Sequence, residues 1–168
     1  FMRGAYCYLP ILSARGGAFR AVSTLSPLAR SRLTPLFDVP APVLKEGKTL
    51  DAYLTERANG MHRCWDAERP MYVDVHDLSP DLVTSSGEQP ITYLLDLLRM
   101  LGSRAIPVTG TEVDRGKEYL NTIRGLFATS TEGVCLRFAK DELNEPKLLH
   151  SSIEVLLKFL AVSPAQVD

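Results

Sequence analysis

The sequence has few cysteines, no long apolar run and almost no net charge. Its three cysteines (Cys7, Cys64 and Cys135) are far apart in the 168 residues and show neither CxxC nor CxxH spacing. This argues against a disulfide framework and against the usual zinc motifs. No apolar stretch approaches the ~20 residues that a membrane-spanning helix needs, and no signal peptide is visible. These absences predict a cytoplasmic protein with reduced thiols and no membrane partner.

The formal net charge of -1 conceals an uneven distribution. Residues 1–37 hold five arginines and no acidic residue, whereas the remainder holds 14 basic and 20 acidic side chains. Such a split can mark a contact face for an anion, but internal neutralisation on folding is the commoner explanation. Aromatic residues are not interleaved with basic ones, so a nucleic-acid partner is not expected.

Short apolar runs alternate with amphipathic segments along the chain, whose composition is 45% hydrophobic and 23% charged. Such values are typical of a globular domain. The alternation predicts five βα units, and therefore a parallel sheet covered by helices. The predicted strands are Ala5–Leu12, Thr34–Val39, Met71–Val75, Arg104–Val108 and Val134–Ala139. The main predicted helices are Phe19–Leu25, Leu50–Trp65, Ile91–Leu101, Glu118–Ala128 and Ile153–Val162.

Helix-start signals support several of these boundaries. Ser26 followed by Pro27 predicts the cap and first position of an additional short helix, and Thr49 is placed to cap the next one. Ser151 with Glu154 three residues later has the spacing of a capping box. The last helix would therefore begin just after Ser151.

Two architectures are compatible with an α/β chain of five parallel βα units. One is a partial TIM-like barrel, and the other is a flavodoxin-like, doubly wound open sheet. We expect residues 1–168 to form a single domain. The final residues, 165–168, follow a helix and a Ser-Pro turn, as if a further strand were about to begin.

Several motifs carry a resemblance to a known family. They are Tyr8–Leu12, Gly16-Gly17 before Phe19–Val22, Pro35–Val39, Pro70–Val75, Pro107-Val108 and Leu136–Phe138. Together they resemble the beta protein family of T-even phages and bacteria. The resemblance implies a barrel-like α/β fold, a phage or mobile-element setting and no established activity. It also implies that the chain is the N-terminal part of a longer architecture. Ser13 and Ala18 depart from the lysine and glutamate that the family often has there.

The candidate site follows from strand alternation. In parallel α/β proteins, functional side chains gather at the carboxyl ends of the strands. Alternation places Asp38, Asp74 and His76 on one face, with Thr109 and Arg137 on the same side if the fold is barrel-like. In an open sheet, the same alternation would only separate two packing faces.

Two interpretations of these side chains remain open. In the first, Asp38, Asp74 and His76 are ligands of a divalent metal or an acid–base set, and Arg137 orients an anionic substrate. In the second, the two aspartates and Arg137 form a satisfied polar network inside the sheet layer.

The function that we expect is that of an interaction protein without a cofactor. Five barrel units leave the first and fifth strands unpaired, and exposed sheet edges attract other strands. The sequence therefore predicts a protein partner, or self-association, at these edges. The alternative is a hydrolase or lyase, with or without a divalent metal, that uses the polar site at the strand ends.

Overall fold

Strands and helices alternate in the computed structural model, which describes residues 8–44, 47–111, 115–127 and 133–167. The strands are β1 (Ile11–Ser13), β2 (Leu36–Asp38), β3 (Pro70–Asp74), β4 (Arg104–Thr109) and β5 (Cys135–Leu136). The helices are α1 (Gly16–Ser23), α2 (Pro27–Ser31), α3 (Leu50–Cys64), α4 (Pro90–Met100), α5 (Lys117–Phe127) and α6 (Pro146–Leu160). No helix within these ranges is long and apolar enough to cross a bilayer.

The strands form a parallel sheet in the order β1-β2-β3-β4-β5, which confirms the α/β class and the five βα units. β2 lies between β1 and β3 and pairs with both. A flavodoxin-like sheet would place β1 between β2 and β3, so that alternative is wrong. The sequential order is that of the units of a TIM-like barrel.

Two compact units make up the chain, Phe1–Ala105 and Ile106–Asp168. In the first unit, α1 and α4 both pack against α3. The Phe19 ring of α1 reaches the Phe37 ring of β2, with 5.8 Å between the ring centroids. The fully buried core side chains of this unit include Phe37, Leu54, Met61, Met71, Ile91, Leu94 and Leu98. That the two units form a single domain stays a prediction.

The predicted helix starts in the first unit are confirmed. The Ser26 hydroxyl accepts a hydrogen bond from the Ala29 amide at 3.2 Å, and Pro27 is the first residue of α2. The Thr49 hydroxyl accepts from the Ala52 amide at 3.2 Å, where α3 begins. Each hydroxyl satisfies an amide that has no partner within its helix.

The second unit has a core that includes Ile106, Val108, Leu120, Ile123, Val134, Leu156 and Leu160. The predicted capping box at Ser151 is wrong, because α6 already begins at Pro146. The fixed φ of proline suits the first position of a helix, where no amide is needed. Ser151 lies inside the helix, and its hydroxyl donates to the Lys147 carbonyl at 3.2 Å.

The fifth strand is shorter than predicted, since only Cys135 and Leu136 pair with β4. On its other side, Val134 forms a parallel bridge with Val167, and the Val134 amide donates to the Gln166 carbonyl at 3.0 Å. After α6, the chain therefore returns to the sheet beside β5, as the final residues predicted.

Candidate functional site

Three polar side chains form one row across β1, β2 and β3. Ser13 is the register partner of Asp38, and Asp38 is the register partner of Asp74. We call Ser13, Asp38 and Asp74 the polar row. The preceding row contains Phe37, whose ring packs against α1, so the polar row lies on the opposite face of these strands.

Exposure along the polar row falls from β1 to β3. Ser13 is exposed, Asp38 is half-buried and Asp74 is fully buried. The Asp74 carboxylate accepts a hydrogen bond from the backbone amide of His76 at 3.0 Å. This contact holds the start of the loop after β3 against the carboxylate.

His76 lies beyond the end of β3, which stops at Asp74. His76 is exposed, and its backbone amide makes the contact to Asp74. The structure thus brings Asp38 and Asp74 together as neighbours and places His76 at the rim after the strand. The catalytic or metal-binding role of the three residues stays a prediction.

The other two candidates lie in the second unit. Thr109 ends β4 and is fully buried, and its hydroxyl has no hydrogen-bond partner in the described part of the chain. Arg137 follows β5 and is half-buried, and its amide donates to the Thr109 carbonyl at 2.8 Å. This bond continues the β4–β5 ladder by one residue beyond β5. The proposed role of Arg137 in orienting an anion stays a prediction.

Metal sites in proteins are commonly built from clusters of His, Cys, Asp and Glu side chains. Across the described ranges, no group of three or more such side chains is placed to hold a metal ion.

Sequence reasoning missed Ser13 as a neighbour of the two aspartates, and identified that position as a departure from the family pattern. A comparison of the residues at the ends of the predicted strands would have identified it. Ser13 follows the first apolar run just as Asp38 follows Phe37, so a sequential sheet brings them to the same level.

Two α3 residues missed by sequence reasoning hold the loops at the carboxyl ends of β1 and β2. The Arg57 guanidinium donates to the Ala14 carbonyl at 2.8 Å and lies over the Tyr53 ring, 4.9 Å from its centroid. The Tyr53 hydroxyl donates to the Pro40 carbonyl at 2.6 Å, and burial raises the pKa of Tyr53. A hydroxyl contact to a distant loop has no sequence pattern, so the sequence does not predict this role of Tyr53.

Within the described residues, the segment Leu9–Ser13 forms the outer edge of the sheet beside β2. On its inner side, the Thr34 amide donates to the Tyr8 carbonyl at 3.0 Å, Leu36 to Pro10 at 2.9 Å, and Ala14 to Asp38 at 2.8 Å. Backbone groups of successive strand residues point to opposite sides. The backbone groups of Leu9, Ile11 and Ser13 therefore point away from β2, and we call these three residues the outward edge.

Large apolar side chains along this edge are exposed to solvent. Tyr8 is 69% exposed, Leu9 40% and Ile11 55%, whereas Leu36 beside Ile11 is 2% exposed. No charged residue occurs between Tyr8 and Ala14. This end of the sheet thus offers both backbone hydrogen-bonding groups and apolar surface.

Comparison with known proteins places the chain in a family. The family model described as Beta protein matches residues 8–168. No curated protein matches the chain, and no solved structure does. Since the family match covers nearly the whole sequence, the chain belongs to the Beta protein family.

Proposed function

We propose that this chain is an interaction protein that pairs through the outward edge of β1 with the same edge of a second copy. The observation that carries the proposal is that no strand in the described part of the chain pairs with the outer side of β1. An uncovered strand presents a row of amides and carbonyls that another strand can satisfy. Membership of the Beta protein family supports a phage or mobile-element setting for this association.

The composition of the edge favours pairing. Edges that resist association usually carry charged side chains, prolines at outward positions or bulges. Here Pro10 lies at an inward position, where its carbonyl bonds to the Leu36 amide, so it does not interrupt the outward edge. The outward residues Leu9, Ile11 and Ser13 all keep their amides.

The outward residues are spaced so that they can pair with the same residues of a second copy. Leu9 and Ser13 are placed symmetrically about Ile11, so a two-fold axis at Ile11 pairs Leu9 of each copy with Ser13 of the other. Two antiparallel edges then exchange hydrogen bonds at all three positions. One accepting position is already used in part, since the Ser13 carbonyl accepts from the Arg15 amide at 2.7 Å. The same axis brings the two exposed Ile11 side chains together, and cross-strand apolar pairs of this kind stabilise antiparallel edges.

The experiment is sedimentation velocity on the wild-type chain from ~1 to ~100 µM, a range in which weak dimers form. We expect a concentration-dependent dimer. Ile11→Lys places a charge on the edge and should leave a monomer. Leu28→Lys is the matched control, because Leu28 on α2 is 64% exposed and is not a residue of the outward edge. This control should dimerise like the wild type.

If the chain is monomeric at every concentration, the proposal is overturned, and the edge would be available to a different protein. Equal dimerisation of Ile11→Lys and the wild type would also overturn it, because the interface would then lie elsewhere. Melting temperatures of both lysine variants establish that each is folded.

A second candidate function is hydrolysis or lyase chemistry at the polar row. The observation that favours it is the pairing of Asp38 with the fully buried Asp74, since two adjacent carboxylates can act as an acid–base pair or bind Mg²⁺. The test is a titration with Mg²⁺, Mn²⁺ and Zn²⁺ followed by thermal melting. A metal that binds the native state raises the melting temperature.

The variants for this test are Asp74→Ala and the more conservative Asp38→Asn. A rise that disappears in both variants supports a metal-dependent enzyme. No rise in the wild type, with a less stable Asp74→Ala, makes Asp74 a structural residue and removes the metal-dependent form of this candidate.

A further inference from the structure

The second unit contains an apolar cleft of about 340 Å³ between α5 and α6. Its deepest side chains are Leu120 of α5 and Leu156 of α6, which are 3% and 4% exposed. Phe159 and the exposed Leu148 and Val155 of α6 line it as well. The volume is in the range of small-molecule sites, which begins at ~300 Å³.

The cleft runs along most of α6 and reaches the segment after β4 at one end. Thr111, which lines it, follows the last residue of β4 by two positions. The lining residues Leu148, Ser151 and Ser152 come from the first half of α6, and Val155, Leu156 and Phe159 come from its second half. One end of the cleft therefore lies near the carboxyl end of β4, the end of the strands at which parallel α/β proteins build binding sites.

Side-chain contacts fix two of the lining residues, Thr111 and Phe159, to neighbouring groups. Glu142 accepts hydrogen bonds from the Thr111 hydroxyl at 2.8 Å and from the Ala139 amide at 2.7 Å, so one carboxylate joins the segments that follow β4 and β5. At the other end of the helix pair, the Arg124 guanidinium lies over the Phe159 ring, 5.4 Å from its centroid. Such preorganisation lowers the entropy cost of binding.

The lining chemistry defines the class of ligand. The described lining residues include none with an ionisable side chain, and their polar groups are the hydroxyls of Thr111, Ser151 and Ser152. An apolar body with one hydrogen-bonding group matches this lining better than a charged ligand does, because the described lining offers apolar surface and hydroxyls but no partner for an ion pair. We propose that the cleft binds an uncharged, mostly apolar small molecule, and this site is independent of the β1 edge.

The experiment uses N-phenyl-1-naphthylamine, an uncharged apolar dye whose fluorescence rises on binding. The wild-type chain should show saturable binding of one dye per chain. Ser152→Phe fills the cleft from its α6 wall and should weaken binding at least ~10-fold, which corresponds to ~1.4 kcal/mol. His150→Phe adds the same ring to the same helix at an exposed position outside the lining, and should bind the dye like the wild type.

A second variant, Val155→Asp, keeps the test decisive if Ser152→Phe does not fold. Val155 is 67% exposed, so the fold should tolerate a charge there, while dye binding should fall. Absence of saturable binding, or equal binding by wild type and Val155→Asp, would overturn the inference. A change in sedimentation by Val155→Asp without a change in dye binding would also overturn it, because the cleft would then be a protein interface.

Discussion

Cys64 shows how burial sets the chemistry of a single residue. Its thiol is 3% exposed in the packed end of α3, and burial raises its pKa to about 11. Since the thiolate is the reactive form, the thiolate fraction at pH 8 should be lower by ~100-fold than for an ordinary thiol. We expect iodoacetamide to label Cys64 slowly in the native protein and rapidly in urea, as measured by peptide mass spectrometry. Equal rates in both states would contradict the burial of this side chain.

Asp51 makes the stability of the first unit sensitive to acid. Its carboxylate accepts hydrogen bonds from the hydroxyl of Ser85 and from the Ser85 amide, the latter at 2.9 Å. These bonds, the hydroxyl first, lower the pKa of Asp51 below its usual value of 3.8. The native state therefore gains stability above the unfolded pKa, and loses it as the pH falls through the folded pKa.

The corresponding variant is Asp51→Asn. We expect the wild type to melt at a higher temperature than this variant at pH 6, and the difference to shrink towards pH 3. Ser85→Ala should behave in the same way, because it removes the larger of the two contributions. A difference that does not depend on pH would assign the effect to something other than ionisation.

Among the helices, the α1–α3 contact depends on the absence of a side chain at Gly60. A Cβ at this position would overlap the Phe19 ring, which in turn contacts Phe37. We expect Gly60→Ala to destabilise the protein by about 1–3 kcal/mol through overpacking, which exceeds its gain in helix propensity of ~1 kcal/mol. Urea unfolding measures the change.

Gly125 on α5 provides the matched control. It is exposed, and no atom of the described residues lies within 4 Å of the point that a Cβ would occupy there. Gly125→Ala should therefore stabilise the protein by about 0.5–1 kcal/mol. If both substitutions shifted stability in the same direction, the contact with Phe19 would not be what restricts position 60.

The contact between the start of β5 and the segment at Gln166 also requires a residue without a side chain, at Gly133. Its φ is +85°, and a Cβ would lie 2.6 Å from the Gln166 carbonyl oxygen. Gly133→Ala should cost more than Gly102→Ala, since Gly102 has φ +82° but open space where a Cβ would lie. We expect about 1–2 kcal/mol for the backbone conformation alone at Gly102, and more at Gly133. Equal losses would mean that the segment at Gln166 moves away freely.

At the scale of the whole molecule, charge should contribute little to the proposed dimer. The formal net charge is -1, and the outward edge of Leu9, Ile11 and Ser13 contains no ionisable group. Backbone hydrogen bonds and apolar contacts are only weakly screened by salt. We expect the dissociation constant, measured by sedimentation equilibrium, to change less than ~3-fold between ~50 and ~500 mM NaCl. A much weaker dimer at high salt would show that charged side chains contribute to the contact.

The sequence by itself determined the α/β class, the number of βα units and most element positions. These follow from local signals: apolar runs of strand length, helical periodicity, and caps such as Ser26 and Thr49 that act on amides three residues away. The same local logic failed at Ser151, because a capping pattern inside a helix competes with a proline that starts the helix five residues earlier.

Only the tertiary structure decided which side chains are neighbours and which are exposed. The sequential strand order, which excludes the doubly wound alternative, depends on pairing between residues 25 and 36 positions apart. That pairing sets Ser13 beside Asp38 and Asp74, and it leaves Ile11 55% exposed although its run resembles a buried strand. Burial is a property of what lies across the sheet edge, and no pattern within the strand carries that information.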